Sequence, residues 1–142
     1  MKLSALYQIF LDCQSVTTDS RNCPDGSLFI ALKGESFNGN AFAKLALDSG
    51  CAFAIIDEIQ YAIEGDQRYI LVDDCLQTMQ QLANYHRRQL GTRVIGITGT
   101  NGKTTTKELI SSVLCQAHNV LYTLGNLNNH IGTPQTLSLI HI

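Results

Sequence analysis

One seven-residue stretch, Gly99-Thr100-Asn101-Gly102-Lys103-Thr104-Thr105, has the residue types and the spacing of a phosphate-binding loop. Its glycines let the backbone curl so that successive N–H groups point at one anion. Lys103 would lie along the outer phosphates of a nucleotide and is the catalytic candidate. The hydroxyl of Thr104 would ligate the Mg²⁺ that accompanies the nucleotide. The stretch therefore predicts a nucleotide site that extends from Gly99 to Thr105.

The segments on either side of this loop support the same interpretation. The apolar run 93–98 predicts a buried strand, and residues 106–117 carry the apolar spacing of a helix. A helix that starts at the loop aims its positive end at a bound phosphate. The strict pattern G-x-x-x-x-G-K-[ST] would place a glycine at position 97, where this chain has Ile97. The alternative is a tight turn between a strand and a helix, with Lys103 solvated.

The residues before the loop predict an α/β layer structure. Apolar runs at 28–32, 52–56 and 69–72 are typical of buried strands, and segments 4–11, 41–49 and 74–90 have helical spacing. Asp73 or Asp74 can cap the last of these helices, and Gly91 can end it. On its apolar face, His86 is predicted to be a packed residue rather than a ligand. We place a domain boundary near residue 90, which gives units of 1–90 and 91–142.

A second polar loop, residues 124–134, follows a predicted strand at 120–123. That strand is expected to be parallel to the strand before the phosphate loop, so both loops would lie at the same sheet edge. This is the edge at which open α/β sheets bind ligands. Asn126, Asn128 and Asn129 are the candidates in this loop. An ordinary Asn- and Gly-rich surface loop is the alternative.

Composition excludes several classes of protein. The net charge of −2 gives no basic surface for nucleic acid, and no run of about 18 apolar residues predicts a membrane span. The start of the chain does not have the pattern of a signal peptide. The five cysteines are scattered without a C-x-x-C pair, which favours small buried residues in a reducing compartment. We therefore expect a cytoplasmic protein, and a monomer.

Residues 98–105 are similar to the ATP loop of the Mur ligases, which build the peptide of bacterial cell-wall precursors, and of the folylpolyglutamate synthases. Three upstream segments decide between these relatives: Asp19-Ser20-Arg21, residues 26–34 and residues 38–40. They resemble the N-terminal uridine-nucleotide-binding domain of Mur ligases of the MurE and MurF types, which folylpolyglutamate synthases lack. The pattern of residues 125–134 resembles the MurF type. The resemblance covers residues 15 to 136.

The resemblance implies an α/β fold in which a small N-terminal α/β UDP-binding domain is followed by the start of a P-loop parallel-sheet ATPase domain. It also implies an ATP-dependent amide ligase of peptidoglycan precursor synthesis. Such an enzyme uses ATP and Mg²⁺ to phosphorylate the terminal carboxylate of UDP-N-acetylmuramoyl-tripeptide. The amine of D-alanyl-D-alanine then attacks the acyl phosphate. A MurE-type ligase that adds a single amino acid is an alternative.

Individual residues can be carried over from the resemblance. Ser20 and Arg21 are candidates for the UDP end of the substrate, where an arginine could pair with a phosphate. A structural salt bridge within the turn is the alternative for Arg21. Asn38 is a third substrate candidate, although family members more often have Asp-Gly-His where this chain has Asn38-Gly39-Asn40. The three asparagines of the second loop would position the muramoyl-peptide or the ATP side.

Length suggests that the chain is an N-terminal fragment. Complete family members continue through a full central domain and a C-terminal domain, whereas this chain has 142 residues and its last six do not continue the pattern. We expect the fragment alone to be inactive. A non-catalytic UDP-sugar-binding module is the alternative from another class, and a small-molecule kinase is a third.

Overall fold

The computed structural model describes residues 2–123 and 129–138. Its strands, in chain order, are β1 (Val16–Thr17), β2 (Leu28–Ile30), β3 (Lys33–Gly34), β4 (Phe37–Asn38), β5 (Phe53–Ile56) and β6 (Tyr69–Leu71). Its α-helices are α1 (Leu3–Asp12), α2 (Ala43–Asp48), α3 (Cys75–Leu90), α4 (Lys103–Leu114) and α5 (Gly132–Ser138). Two short 3₁₀ helices span Gly39–Phe42 and Ile59–Tyr61.

Four strands form a parallel sheet in the order β1-β2-β5-β6. Leu28 pairs with Val16 on one side and with Phe53 on the other, and Ala54 pairs with Tyr69. Every residue of β2, and the last three of β5, are buried. Because side chains alternate between the two faces of a strand, complete burial means that both faces of the central strands are covered. The three strands predicted before the phosphate loop, at 28–32, 52–56 and 69–72, and with them the α/β fold class, are confirmed.

Helix α3 has the ends that the sequence predicts. The side chain of Asp74 accepts a hydrogen bond from the backbone N–H of Gln77 at 2.7 Å, and Gly91 adopts the left-handed conformation after the last helical residue. His86 is buried on the face that packs against α1, where its Nδ1 lies 3.0 Å from the hydroxyl of Tyr7. His86 is therefore a packed residue, as predicted.

Two of the predicted strands are wrong. Within the described residues, segments 93–98 and 120–123 pair with no other strand, and Val94 and Ile95 are exposed. An apolar run becomes a strand only when a neighbour accepts and donates its backbone hydrogen bonds. Conversely, segment 33–38, which lies outside the strands predicted from the sequence, pairs with itself as the antiparallel hairpin β3–β4.

Helix α5 packs against α3, and thereby returns the chain to the first unit. The side chain of Gln80 on α3 donates a hydrogen bond to the carbonyl of His130 at 3.1 Å, and Ile131 packs against the main hydrophobic core. None of the helices within the described residues is both long and apolar enough to cross a bilayer.

Candidate functional site

Helix α4 begins at Lys103, three residues earlier than the apolar spacing predicts. Gly102 caps it with φ +76°, and Gly99 has φ +148°. Both angles lie in the region that side chains disfavour, so these two glycines allow the turn into the helix. The helix has no side-chain cap. The N–H groups of its first turn have no partner within the helix, and a helix start of this kind can accept an anion.

Three polar side chains lie at this helix start. The ammonium of Lys103 donates a hydrogen bond to the carbonyl of Gly99, so the two ends of the loop are connected to each other. Thr104 and Thr105 are exposed, as are Thr100 and Asn101 before them. A phosphate group would compete with one neutral carbonyl for Lys103, and a charged acceptor makes the stronger hydrogen bond.

Lys107, one helical turn after Lys103, was missed by sequence reasoning. Its ammonium donates to the carbonyl of Thr123 at 2.5 Å, pairs with Glu108 at 2.9 Å and lies 5.6 Å from the centre of the Tyr122 ring. Lys107 therefore holds Tyr122 and Thr123, the residues before the second polar loop, against α4. The i, i+4 spacing of the two lysines places them on one helix face and is the signal that could have indicated this.

The structure describes residues 129–134 of the second polar loop. Asn126 and Asn128 lie outside the described residues. Asn129 is described, and its side-chain oxygen accepts hydrogen bonds from the N–H groups of Ile131 at 3.2 Å and Gly132 at 2.7 Å. It therefore caps the start of α5, a structural role that sequence reasoning did not assign to it.

Arg21 forms the salt bridge that the sequence leaves as an alternative. Its guanidinium makes a two-pronged contact with the Asp19 carboxylate at 2.9 and 2.8 Å, while the side chain remains 86 % exposed. The hydrogen bonds from Arg21 lower the pKa of Asp19 to about 2. Ser20, between them, is half-buried, and its carbonyl accepts from the Cys23 thiol. The guanidinium is thus paired with Asp19 and remains exposed to solvent.

Asn38 has its polar side-chain atoms occupied within the protein. Its oxygen accepts from the backbone and side-chain N–H groups of Asn40 at 3.0 and 2.9 Å, and its amide donates to both oxygens of Glu58. The side chain of Asn40 in turn bonds Asp57 at 2.8 Å. The geometry favours Asn38 as a member of this network over a side chain held ready for the substrate.

These N-terminal groups gather at one edge of the sheet. Residues 19–21 follow β1, residues 33–40 follow β2 and Asp57 follows β5. Because these three strands are adjacent and parallel, their carboxyl ends meet at the same edge. The resemblance named Arg21 and Asn38, which lie at this edge, but not Asp57, whose position directly after a buried strand was the available signal.

All five cysteines are free, and Cys13, Cys51 and Cys75 are buried as expected. Burial raises the pKa of Cys75 to about 12, so this thiol stays protonated at neutral pH. Cys115 is exposed and Cys23 is only partly buried, which corrects the expectation that all five are buried.

Comparison with known proteins places the chain in a family. The description "Mur ligase family, catalytic domain" matches residues 12–87, and "Mur ligase middle domain" matches residues 97–141. The chain belongs to the Mur ligase family. Curated Mur ligases similar to it include the UDP-N-acetylmuramoyl-tripeptide–D-alanyl-D-alanine ligases of Bacillus subtilis (strain 168) and Escherichia coli (strain K12). The first is 48 % identical over 86 % of this chain, and the second 41 % identical over 87 %.

Solved Mur ligase structures have the same fold. MurF from Acinetobacter baumannii superimposes on 91 % of this chain with a TM-score of 0.81 and 37 % identity. MurF from Thermotoga maritima, in complex with ADP, superimposes on 94 % with a TM-score of 0.80 and 29 % identity. The chain spans only about a quarter of the curated relatives, 27 % of the B. subtilis protein and 26 % of the E. coli protein.

Proposed function

We propose that this chain is the amino-terminal part of an ATP-dependent amide ligase of peptidoglycan precursor synthesis. The complete enzyme would add D-alanyl-D-alanine to UDP-N-acetylmuramoyl-tripeptide through an acyl phosphate. The phosphate loop at the start of α4, in a chain 48 % identical to a ligase of that name, carries this proposal. Residues 1–90 would bind the UDP substrate, and residues 91–142 would begin the ATP-binding domain.

The start of α4 fits ATP and Mg²⁺. ATP supplies the phosphoryl group that turns the substrate carboxylate into an electrophile. Backbone N–H groups from Gly99 to Gly102 and of the first helical turn, which includes Thr105, would hold its phosphates. Lys103 would stabilise negative charge on the transferring phosphoryl group. The exposed hydroxyl of Thr104 would be a ligand of Mg²⁺.

The carboxyl edge of the parallel sheet fits the UDP end of the substrate. Arg21 presents an exposed guanidinium held by Asp19, and this geometry suits pairing with a phosphate. Ser20 belongs to the same turn, while Asn38 would support the site from within its network. Asn126, Asn128 and Asn129 remain candidates for positioning the muramoyl-peptide. We also propose that the protein is cytoplasmic, because the cytoplasm is where ATP is available to the reaction. We propose a monomer as its oligomeric state.

A second candidate function applies to the chain as it stands. Residues 2–90 have a closed core, whereas α4 exposes Leu109 and Val113. This difference favours a chain that binds a uridine nucleotide without catalysing ligation. Amide formation by the chain alone, followed as phosphate release with both substrates and ATP present, would exclude this candidate.

The assignment of the phosphate loop is tested by Lys103→Ala. We expect the affinity of the chain for Mg-ATP, measured by isothermal titration calorimetry, to fall at least about tenfold, because the ammonium–phosphate contact is lost. Lys44→Ala is the matched control, since Lys44 is an exposed lysine paired with Asp48 on α2. Unchanged ATP affinity in Lys103→Ala would sink the assignment.

A further inference from the structure

A buried carboxylate lies directly behind the proposed UDP edge. Asp57 follows β5, and its side chain is only 4 % exposed. It accepts hydrogen bonds from three separate segments: the ammonium of Lys33 at 3.1 Å, the amide of Asn40 at 2.8 Å and the backbone N–H of Cys75 at 3.3 Å. One carboxylate thus connects the β3–β4 hairpin, the 3₁₀ helix after it and the first turn of α3.

The contact between Asp57 and Asn40 is reciprocal. The side-chain oxygen of Asn40 accepts from the backbone N–H of Asp57 at 3.0 Å, and Asn40 is 1 % exposed. The backbone N–H of Gly39 also donates to the carbonyl of Leu32 at 2.9 Å. A buried amide and carboxylate that satisfy each other in this way fix the local backbone, because any shift leaves buried polar groups without partners.

The network continues outward from Asp57 to the hairpin. Asn40 holds Asn38 through two hydrogen bonds, and Glu58 receives both the amide of Asn38 and the ammonium of Lys33. Next to Asn38, Phe37 stacks on Phe42 with ring centres 5.3 Å apart, and both rings are exposed. The outer surface of the segment 33–42 is therefore placed by groups that lie beneath it.

We propose that Asp57 is a positioning residue, which holds the segment 33–40 in the conformation that binds the uridine nucleotide. The inference rests on the proposed function, which places the UDP end of the substrate at this edge. Asp57 does not itself touch the ligand. It acts through Asn40 and Lys33, and Asn38 belongs to the supporting network.

The inference is tested with Asp57→Asn in the 142-residue chain. Uridine diphosphate and ADP are titrated separately, and chemical-shift changes in ¹H–¹⁵N spectra give each Kd. We expect the Kd for uridine diphosphate to rise about tenfold, because the charge-assisted bonds to the hairpin are lost, and the Kd for ADP to stay within about twofold.

Asp66→Asn is the matched control. Asp66 precedes β6, at the opposite edge of the sheet. Like Asp57 it is paired with a basic side chain, here Arg68, which it contacts through both carboxylate oxygens. Removing its charge should leave both Kd values within about twofold of the wild type, because its ion pair lies at the opposite edge of the sheet from the proposed UDP site.

Lys33→Met provides a second test at a half-exposed position. If Asp57→Asn does not fold, an unchanged Kd for uridine diphosphate in Lys33→Met alone overturns the inference. We expect the Kd for uridine diphosphate to rise about threefold in the single variant, and by less when Lys33→Met is added to Asp57→Asn, because coupled residues are not additive. A rise that is the same in both backgrounds would assign Lys33 a direct contact with the ligand and contradict the inference.

The outcomes separate the inference from the function on which it rests. Equal Kd values for uridine diphosphate in the wild type and in folded Asp57→Asn overturn the inference alone. A parallel rise for both ligands also overturns it, because it indicates a general loss of structure. A wild-type chain that binds ADP but not uridine diphosphate overturns both the inference and the proposed UDP site.

Discussion

The two parts of the chain have similar sequence patterns but differ in how their apolar residues are covered. In residues 2–90 the four strands of the main sheet have parallel neighbours, and Leu28, Ile30, Ile55 and Ile56 have no measurable exposure. In residues 91–123 the apolar run at 93–98 remains unpaired. Helix α4 leaves Leu109 64 % and Val113 71 % exposed. Apolar spacing therefore indicates which residues can be buried, and only a neighbouring element decides whether they are.

The largest expected effect contrasts one buried residue with one exposed residue. Ile55→Ala in β5 should lower the free energy of unfolding by about 2–5 kcal/mol, because it leaves a cavity in a fully buried part of the core. Leu109→Ala on α4 should change it by no more than about 0.5 kcal/mol. Urea unfolding followed by circular dichroism measures both. Similar losses in the two variants would show that α4 is buried as deeply as β5.

A smaller difference should appear in hydrogen exchange. Helix α3 packs against α1 and α5, whereas α4 has an open apolar face. We expect amides within α4 to exchange at least about tenfold faster than those in the middle of α3, because elements with few buried contacts open locally at low cost. Exchange measured by mass spectrometry on the intact chain tests this. Equal protection in the two helices would remove the contrast between the regions.

The smallest expected effect concerns pH and sharpens the account of the first region. Burial raises the pKa of Asp57, but the hydrogen bonds from Asn40, Lys33 and Cys75 outweigh it, so the pKa lies below its ordinary value. The native state then binds fewer protons than the unfolded state. The stabilisation is complete above about pH 3.9 and is lost as the pH falls through the native pKa.

The free energies of unfolding of the wild type and Asp57→Asn, measured at pH 7 and at pH 3, test this linkage. We expect the wild-type advantage to be larger at pH 7 and to shrink at pH 3, because the amide that replaces the carboxylate in the variant does not titrate. A constant difference between the two proteins would mean that the Asp57 carboxylate has the same pKa in both states.

Local signals explain what could be predicted. The cap at Asp74, the stop at Gly91 and the buried runs of β2 and β5 depend on neighbouring residues, so the sequence pattern identifies them. The phosphate loop is predicted from the same kind of local signal, since its glycines and Lys103 lie within five residues. The bounds of α4 were less well predicted, because Lys103 to Thr105 are helical without being apolar.

Features that depend on distant residues were missed. Phe37 is the one apolar residue of the hairpin β3–β4, so no apolar pattern indicates its two strands. The contact between Asn40 and Asp57 joins residues 17 apart, which only the sheet brings together. Asn38 was assigned as a substrate contact from a resemblance, and its hydrogen bonds with Asn40 and Glu58 were not predicted. The strand at 93–98 was wrong because pairing is a property of two segments.

The packing of α5 against α3 has a consequence for the phosphate loop. Helix α3 ends at Leu90, and the chain is again in contact with it at His130. The phosphate loop therefore lies between two points of the chain that are both attached to α3. The entropic cost of closing a connection between two such points grows only slowly with its length. Residues added near position 92 would therefore change how far the phosphate loop can lie from α3 far more than they would change the stability of the fold.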